Sequence, residues 1–284
     1  MGSRNNSSRT RSPKSDANPP PSATKTDNGL FSFVTPTEFV EIPSGGKYYA
    51  EDHPLHGIDT IEIRHMTAKE EDILTSETLI RKGLAINRLL QAVIMDPAIE
   101  VESLLIGDKN ALLVATRITG FGPVYETKVN CPGCSEEVTQ EFLLDELTHV
   151  TPGEMPKGVT VNDANNFVFE LPTTKITAEV KLLTTADERT LSEATEKKKK
   201  LNLPASRSTD LLKSVIISLN DQTDRGDIDK FVSLMPLRDV SHLRKVYEKI
   251  KPDVDVSYEF SCEHCDHIGK VVMPLTSQFF WPNA

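Results

Sequence analysis

Four cysteines are the residues best placed to do chemistry. Cys131 and Cys134 lie in "YETKVNCPGCSEEVTQEFLL", and Cys262 and Cys265 lie in "VSYEFSCEHCDHIGKVVMPL". Each pair is C-x-x-C in a polar turn. That spacing lets two thiolates grip one tetrahedral ion, and two such turns make a closed four-cysteine site. The two pairs use all 4 cysteines of the chain. They predict one structural zinc per chain, although tetrahedral sulfur also suits iron. A catalytic zinc keeps one coordination position open beside a base, and four thiolates leave none. A thioredoxin-type redox pair would open a helix, whereas strand-like residues follow each pair. His264 and His267 flank the second pair and could replace a cysteine; they read more simply as solvated loop residues.

Strands on both sides of each turn must position these thiols. The pairs are separated by 127 residues, far more than a compact zinc ribbon needs. The distance makes sense if each half of the chain carries one knuckle. The sequence supports two related halves. "IEIRHMTAKEEDIL" (61–74) aligns with "AEVKLLTTADERTL" (178–191) at an offset of 117, placing Thr67 on Thr184, Glu70 on Asp187 and Leu74 on Leu191. Both read as a short strand followed by a capped helix start. "NRLLQAVIMD" (87–96) and "TDLLKSVIISLN" (209–220) then repeat apolar residues at helical spacing, and further helical stretches follow near 100–118 and 228–249. The expected fold is α+β: two internally related halves, each with a small β-sheet, helices and a C-x-x-C zinc knuckle, joined at one four-cysteine site. The boundaries are 1–28 for a disordered arm, 29–150 for the first half and 151–284 for the second.

The arm is rich in Ser, Asn, Pro and Thr, and five Lys/Arg against two Asp give it a charge of +3. It cannot bury enough apolar area to offset its ordering entropy. The whole chain carries a net charge of −10, so no global basic field recruits nucleic acid. No apolar run is long enough to span a membrane, and the N-terminus lacks the core of a secretion signal. "EKKKK" (196–200) ends a predicted helix, where lysines complement the macrodipole and face water.

"IPSGGKYY" (42–49) has the glycines and lysine of a phosphate loop. Glu41 stands where such a loop needs glycine and Tyr48 where it needs a hydroxyl ligand for magnesium. It reads instead as a Gly-Gly turn between β segments 39–42 and 47–49, with Tyr48 and Tyr49 as adhesive aromatic area. No catalytic dyad or triad is recognisable, and the chain is expected not to be an enzyme. Phe279, Phe280 and Trp281 close the chain, either folded onto its own core or anchored in a neighbouring subunit.

"VEIPSGGKYY", "IEIRHMTAKEEDIL", "LLIGDKNALLVATRITGFGPVYETKVNCPGC", "CEHC" and "MPLTSQFFWP", in that order, resemble the baseplate hub and hub-assembly proteins of T-even-type contractile-tailed phages. The resemblance touches most of 36–284 and leaves out the arm. It implies a structural component or assembly factor of the central hub of the tail baseplate. Other baseplate proteins would be its partners, with self-association in the assembly open. Its place would be the virion tail, after assembly in the host cytoplasm. The alternative is a zinc-ribbon adaptor or regulator binding a host nucleic-acid enzyme.

Overall fold

The computed structural model describes residues 35–152, 155–204, 206–273, 275 and 279–280. The arm expected over 1–28 and the tail residues from Trp281 onward lie outside the described residues. Every element belongs to the unit Thr37–Ala284.

β1 (Thr37–Glu41) pairs antiparallel with β2 (Thr60–Arg64), setting Val40 opposite Ile61. Three helices follow: α1 (Ala68–Thr75), α2 (Glu77–Arg81) and α3 (Ala85–Val93). Ile94 then turns back to bridge Ile63. α4 (Ile106–Phe121) leads into an antiparallel hairpin of β3 (Val124–Asn130) and β4 (Glu137–Leu143). Next come β5 (Thr148–Val150), β6 (Thr160–Val161), β7 (Phe167–Glu170) and β8 (Thr177–Val180). α5 (Thr185–Lys200) and α6 (Arg207–Val215) lead to β9 (Ile216–Leu219), which completes an antiparallel sheet ordered β6-β7-β8-β9. α7 (Arg225–Leu234) and α8 (Leu237–Ile250) are separated at Met235-Pro236. β10 (Asp253–Asp255) pairs with β5, and β11 (Ser257–Ser261) forms a second hairpin with β12 (Ile268–Val272). The fold is α+β, built of small sheets and helices around a buried apolar core.

The two expected helix starts are both capped. At the head of α1, the Glu70 carboxylate accepts from the Thr67 N–H at 2.8 Å and from its hydroxyl at 2.7 Å. Arg64, at the end of β2, closes on the same carboxylate at 2.7 and 3.0 Å. At the head of α5, Asp187 accepts from the Thr184 N–H at 3.0 Å, and Lys181 at the end of β8 donates to it at 2.7 and 2.8 Å. Each device welds a strand end to the helix that follows it.

Other expectations are corrected. The run 209–220 is not helical throughout. The β-branched trio Val215-Ile216-Ile217 favours a pleated strand, and Ile216 pairs with Val180. "IPSGGKYY" is a turn, with Gly45 and Gly46 at φ +56° and +70°, but residues 47–49 form no strand; the partner of β1 is β2. Any side chain at Gly46 would meet the Ile58 carbonyl oxygen, 2.4 Å from where its Cβ would stand. Tyr49 is no adhesive surface. It is buried, and its hydroxyl donates to Asp108 at 2.7 Å. Ser44 donates to that buried carboxylate through its N–H at 2.9 Å and its hydroxyl at 2.6 Å, so Asp108 in the first turn of α4 fastens the whole loop. Within the lysine run, Lys198 does not simply face water; it binds Asp210 at 2.6 Å and ties α5 to α6. Of the two readings of the closing aromatics, folding onto the chain's own core is the one that Phe279 and Phe280 follow. Both are buried, Phe279 meets the Tyr125 ring edge-on at 4.9 Å, and its carbonyl accepts from Arg117 Nε at 3.0 Å.

Burial alone would raise the Glu70 carboxyl, but Arg64 and Thr67 outweigh it and hold the group down at about 2. A carboxyl depressed on folding contributes stability that is complete above its unfolded value of about 4.3 and is lost as pH falls toward 2. Glu70→Gln leaves Arg64 without its counter-charge and is expected to cost about 2 kcal/mol at neutral pH. It should also flatten the loss of stability between about pH 5 and 2. Denaturant melts across that range check this; parallel curves for wild type and variant would remove Glu70 as a determinant of acid stability.

Candidate metal centre

Both C-x-x-C turns sit at the tips of antiparallel hairpins. In the first, the Cys131 N–H donates to the Glu136 carbonyl at 2.9 Å. In the second, the Cys262 N–H donates to the His267 carbonyl at 2.9 Å. Four positions after the first cysteine of each pair, Ser135 (φ +63°) and Asp266 (φ +53°) adopt the left-handed conformation that closes the turn. Two positions after it, the N–H groups of Gly133 and His264 point at the sulfurs of Cys131 and Cys262, at 3.3 and 3.4 Å. The two turns share one conformation, although their sequences agree only at the cysteines. Gly133 lets the other tip approach: a Cβ there would lie 3.1 Å from the Cβ of His267 and 3.3 Å from Cys265 Sγ.

Packing beneath the tips sets the hairpins against each other. Tyr258 on β11 meets the ring of Phe142 on β4 edge-on at 4.7 Å and donates its hydroxyl to the Leu143 carbonyl at 2.7 Å. Phe142, Phe260 and Tyr125 are all fully buried there.

All four predicted ligands come together. Cys131 Sγ lies 3.6 Å from Cys265 Sγ, Cys134 Sγ lies 3.8 Å from Cys262 Sγ, and all four sulfurs fall within 4.8 Å of one another. An ion bound tetrahedrally at about 2.3 Å from each sulfur sets the sulfurs about 3.8 Å apart. The spacing therefore fits a four-thiolate metal site. A disulfide would bring two sulfurs to about 2 Å, and all four thiols are free. Neither His264 nor His267 joins the cluster.

The electrostatics argue in the same direction. Burial pushes the Cys131 thiol up, but the N–H groups of Cys134 and Gly133 and the neighbouring thiols outweigh it and bring it to about 6. The next charge is then opposed. The His267 N–H favours a thiolate at Cys265, yet the adjoining sulfurs of Cys134, Cys131 and Cys262 together with burial push that thiol to about 12. Cys134 is raised as well, with burial and its neighbours Cys131 and Cys262 outweighing the Glu136 N–H. Ionising all four together would need a multivalent cation to balance the charge.

His53 Nε2 lies 2.8 Å from Ser103 Oγ, the pairing that a hydrolytic dyad would use. The Leu55 N–H donates to His53 Nδ1 at 3.1 Å, so Nε2 carries the proton and donates to the serine. That histidine cannot take the proton of Ser103. Its stacking on Tyr49 at 4.4 Å gives it a packing role.

A family profile described as "T4 bacteriophage base plate protein" matches residues 35–281, spanning both hairpins and all four cysteines. The chain belongs to this base plate protein family. No match was found among curated proteins or among solved structures. Membership of this family implies a place in the phage tail, with other base plate proteins as partners. Among the described residues, no helix of this base plate protein is long and apolar enough to cross a membrane.

The sequence pattern did not reveal Asp108, the buried anchor of the "IPSGGKYY" loop. An aspartate in the first turn of a helix is ordinary macrodipole compensation, and its partners Ser44 and Tyr49 are 64 and 59 residues away.

Cys262→Ser removes one thiolate and is expected to lower the melting temperature by roughly 10 °C or more, with a chelator doing the same to the wild type. The edge-on contact of Phe142 and Tyr258 contributes only about 1 kcal/mol beyond its area and cannot substitute. Thermal melts with and without chelator check this; a variant melting with the wild type would leave the cysteines as ordinary thiols.

Proposed function

We propose that this base plate protein is a non-enzymatic component or assembly factor of the central hub of the phage baseplate, and that one structural zinc at Cys131, Cys134, Cys262 and Cys265 holds its two hairpins together. The reading rests chiefly on one observation: four thiols with the spacing of a closed tetrahedral site lie inside a chain that the base plate family spans almost end to end. A closed site has no coordination position for substrate, so the bound ion would supply charge neutralisation and a cross-link. The residues would hold it as two zinc knuckles, with the N–H groups of Gly133 and His264 stabilising the thiolates from outside.

Two internally related halves are part of the same proposal. The offset that aligns Thr67 with Thr184 also aligns Arg64 with Lys181 and Glu70 with Asp187, and the side-chain contacts at the two places are equivalent. An ancestral unit of strand, capped helix, helix and hairpin, used twice, accounts for one knuckle in each half.

Purified virions separate the hub roles. A hub component is found by mass spectrometry in intact tails at a fixed copy number. An assembly factor is found in baseplate intermediates and missing from finished virions. Absence from both, with recovery in a complex with a host nucleic-acid enzyme, would overturn the hub reading in favour of the adaptor.

A further inference from the structure

A groove on the side of the molecule has the form of a docking site for a helix. It encloses about 580 Å³ between α4, α5 and the segment joining α2 to α3. Ile86, Ile106, Leu113, Val256 and Met273 give it an apolar floor. Along one wall run Thr185, Glu188, Ser192, Glu193 and Glu196 of α5. They mark one face of that helix for about 16 Å, at 1.5 Å per residue, which is the length of three helical turns.

Two of the helices beside the groove, α2 and α5, bury little of their own surface. α2 buries none of its residues, and α5, with 16, buries only Thr185. Leu74 in α1 is buried, yet its counterpart Leu191 in α5 is only half-buried, and Ile80 of α2 stands 42% exposed at the rim. A helix as polar as α5 gains little from burial by itself and is suited to bridging between bodies.

Charge decides what fits. Glu188 is already paired with Lys109, and Arg189 with Glu102 at 3.6 Å. Glu193 and Glu196 are exposed and form no ion pair among the described residues, while Lys82 stands on the opposite wall. We infer that this groove binds an amphipathic helix of a partner protein, with its apolar face on the floor and a basic flank against Glu193 and Glu196. This surface does not involve the cysteine site and stands without it.

The test uses the full-length chain and a labelled synthetic helix of about 16 residues, with leucines on one face and lysines beside them. Fluorescence anisotropy should show binding on the order of 10 µM, weakened at least about tenfold when glutamates replace the lysines. Glu193→Lys with Glu196→Lys should weaken the lysine helix at least about tenfold and strengthen the glutamate helix. Ile80→Asp should weaken both. The same charge reversal at Glu51 and Glu141, exposed and outside the groove, should change neither. No binding, or an equal loss from both double reversals, would overturn the inference by reducing it to general attraction for an acidic surface. A dimer of the free protein dissolved by the Glu193 and Glu196 reversal would also overturn it, because the occupant would then be a second copy.

Discussion

The structure turns on the cost of holding negative charge on four sulfurs inside a sphere a few ångströms wide. Backbone N–H groups stabilise a thiolate at Cys131, whereas burial and the neighbouring sulfurs oppose one at Cys134 or Cys265. The proposed cation would convert that repulsion into attraction. It would act between hairpins joined through 127 intervening residues, and so would close a long loop and constrain the unfolded chain as well as the folded one. Zinc bound in small structural sites contributes about 10–16 kcal/mol, comparable with the whole net stability of an ordinary domain at about 5–15. The aromatic packing under the tips aligns the hairpins; in the proposed zinc site, the charge balance above it would decide whether they stay together.

Much of this could be read from the sequence because its determinants are local. The C-x-x-C spacing, the strand-like flanks, the capped starts at Thr67 and Thr184 and the apolar spacing of Leu89, Leu90 and Val93 are all set within a few residues. What escaped depends on distant partners. Val215 and Ile216 carry a helical pattern up to the point where β8 offers a pairing edge. Tyr49 looks like a surface aromatic until Asp108 appears beneath it. Phe279 and Phe280 suit an intermolecular anchor equally well in sequence, and only Tyr125 and Arg117 bring them inside. Lys198 shows the same limit: three neighbouring lysines obey the macrodipole rule, while the fourth has Asp210 within reach.

The likeness between the stretches 61–74 and 178–191 is closest where strand meets helix. Arg64 with Glu70 and Lys181 with Asp187 are the same weld built from different side chains, and the cysteine turns share a backbone shape with little sequence in common. The two stretches differ in what their helices cover. α1 has a buried leucine and α5 does not, and it is beside α5 that the groove opens. Such an asymmetry suits the proposed docking of a neighbour beside α5.

Metal stoichiometry tests the central claim most directly. Protein purified without chelator and analysed for its elements should carry one zinc per chain, displaced stoichiometrically when all four thiols are titrated with a mercurial reagent. Two ions per chain would mean that each hairpin holds its own. None, in protein that is folded and has four titratable thiols, would contradict the account that a shared cation joins the two hairpins.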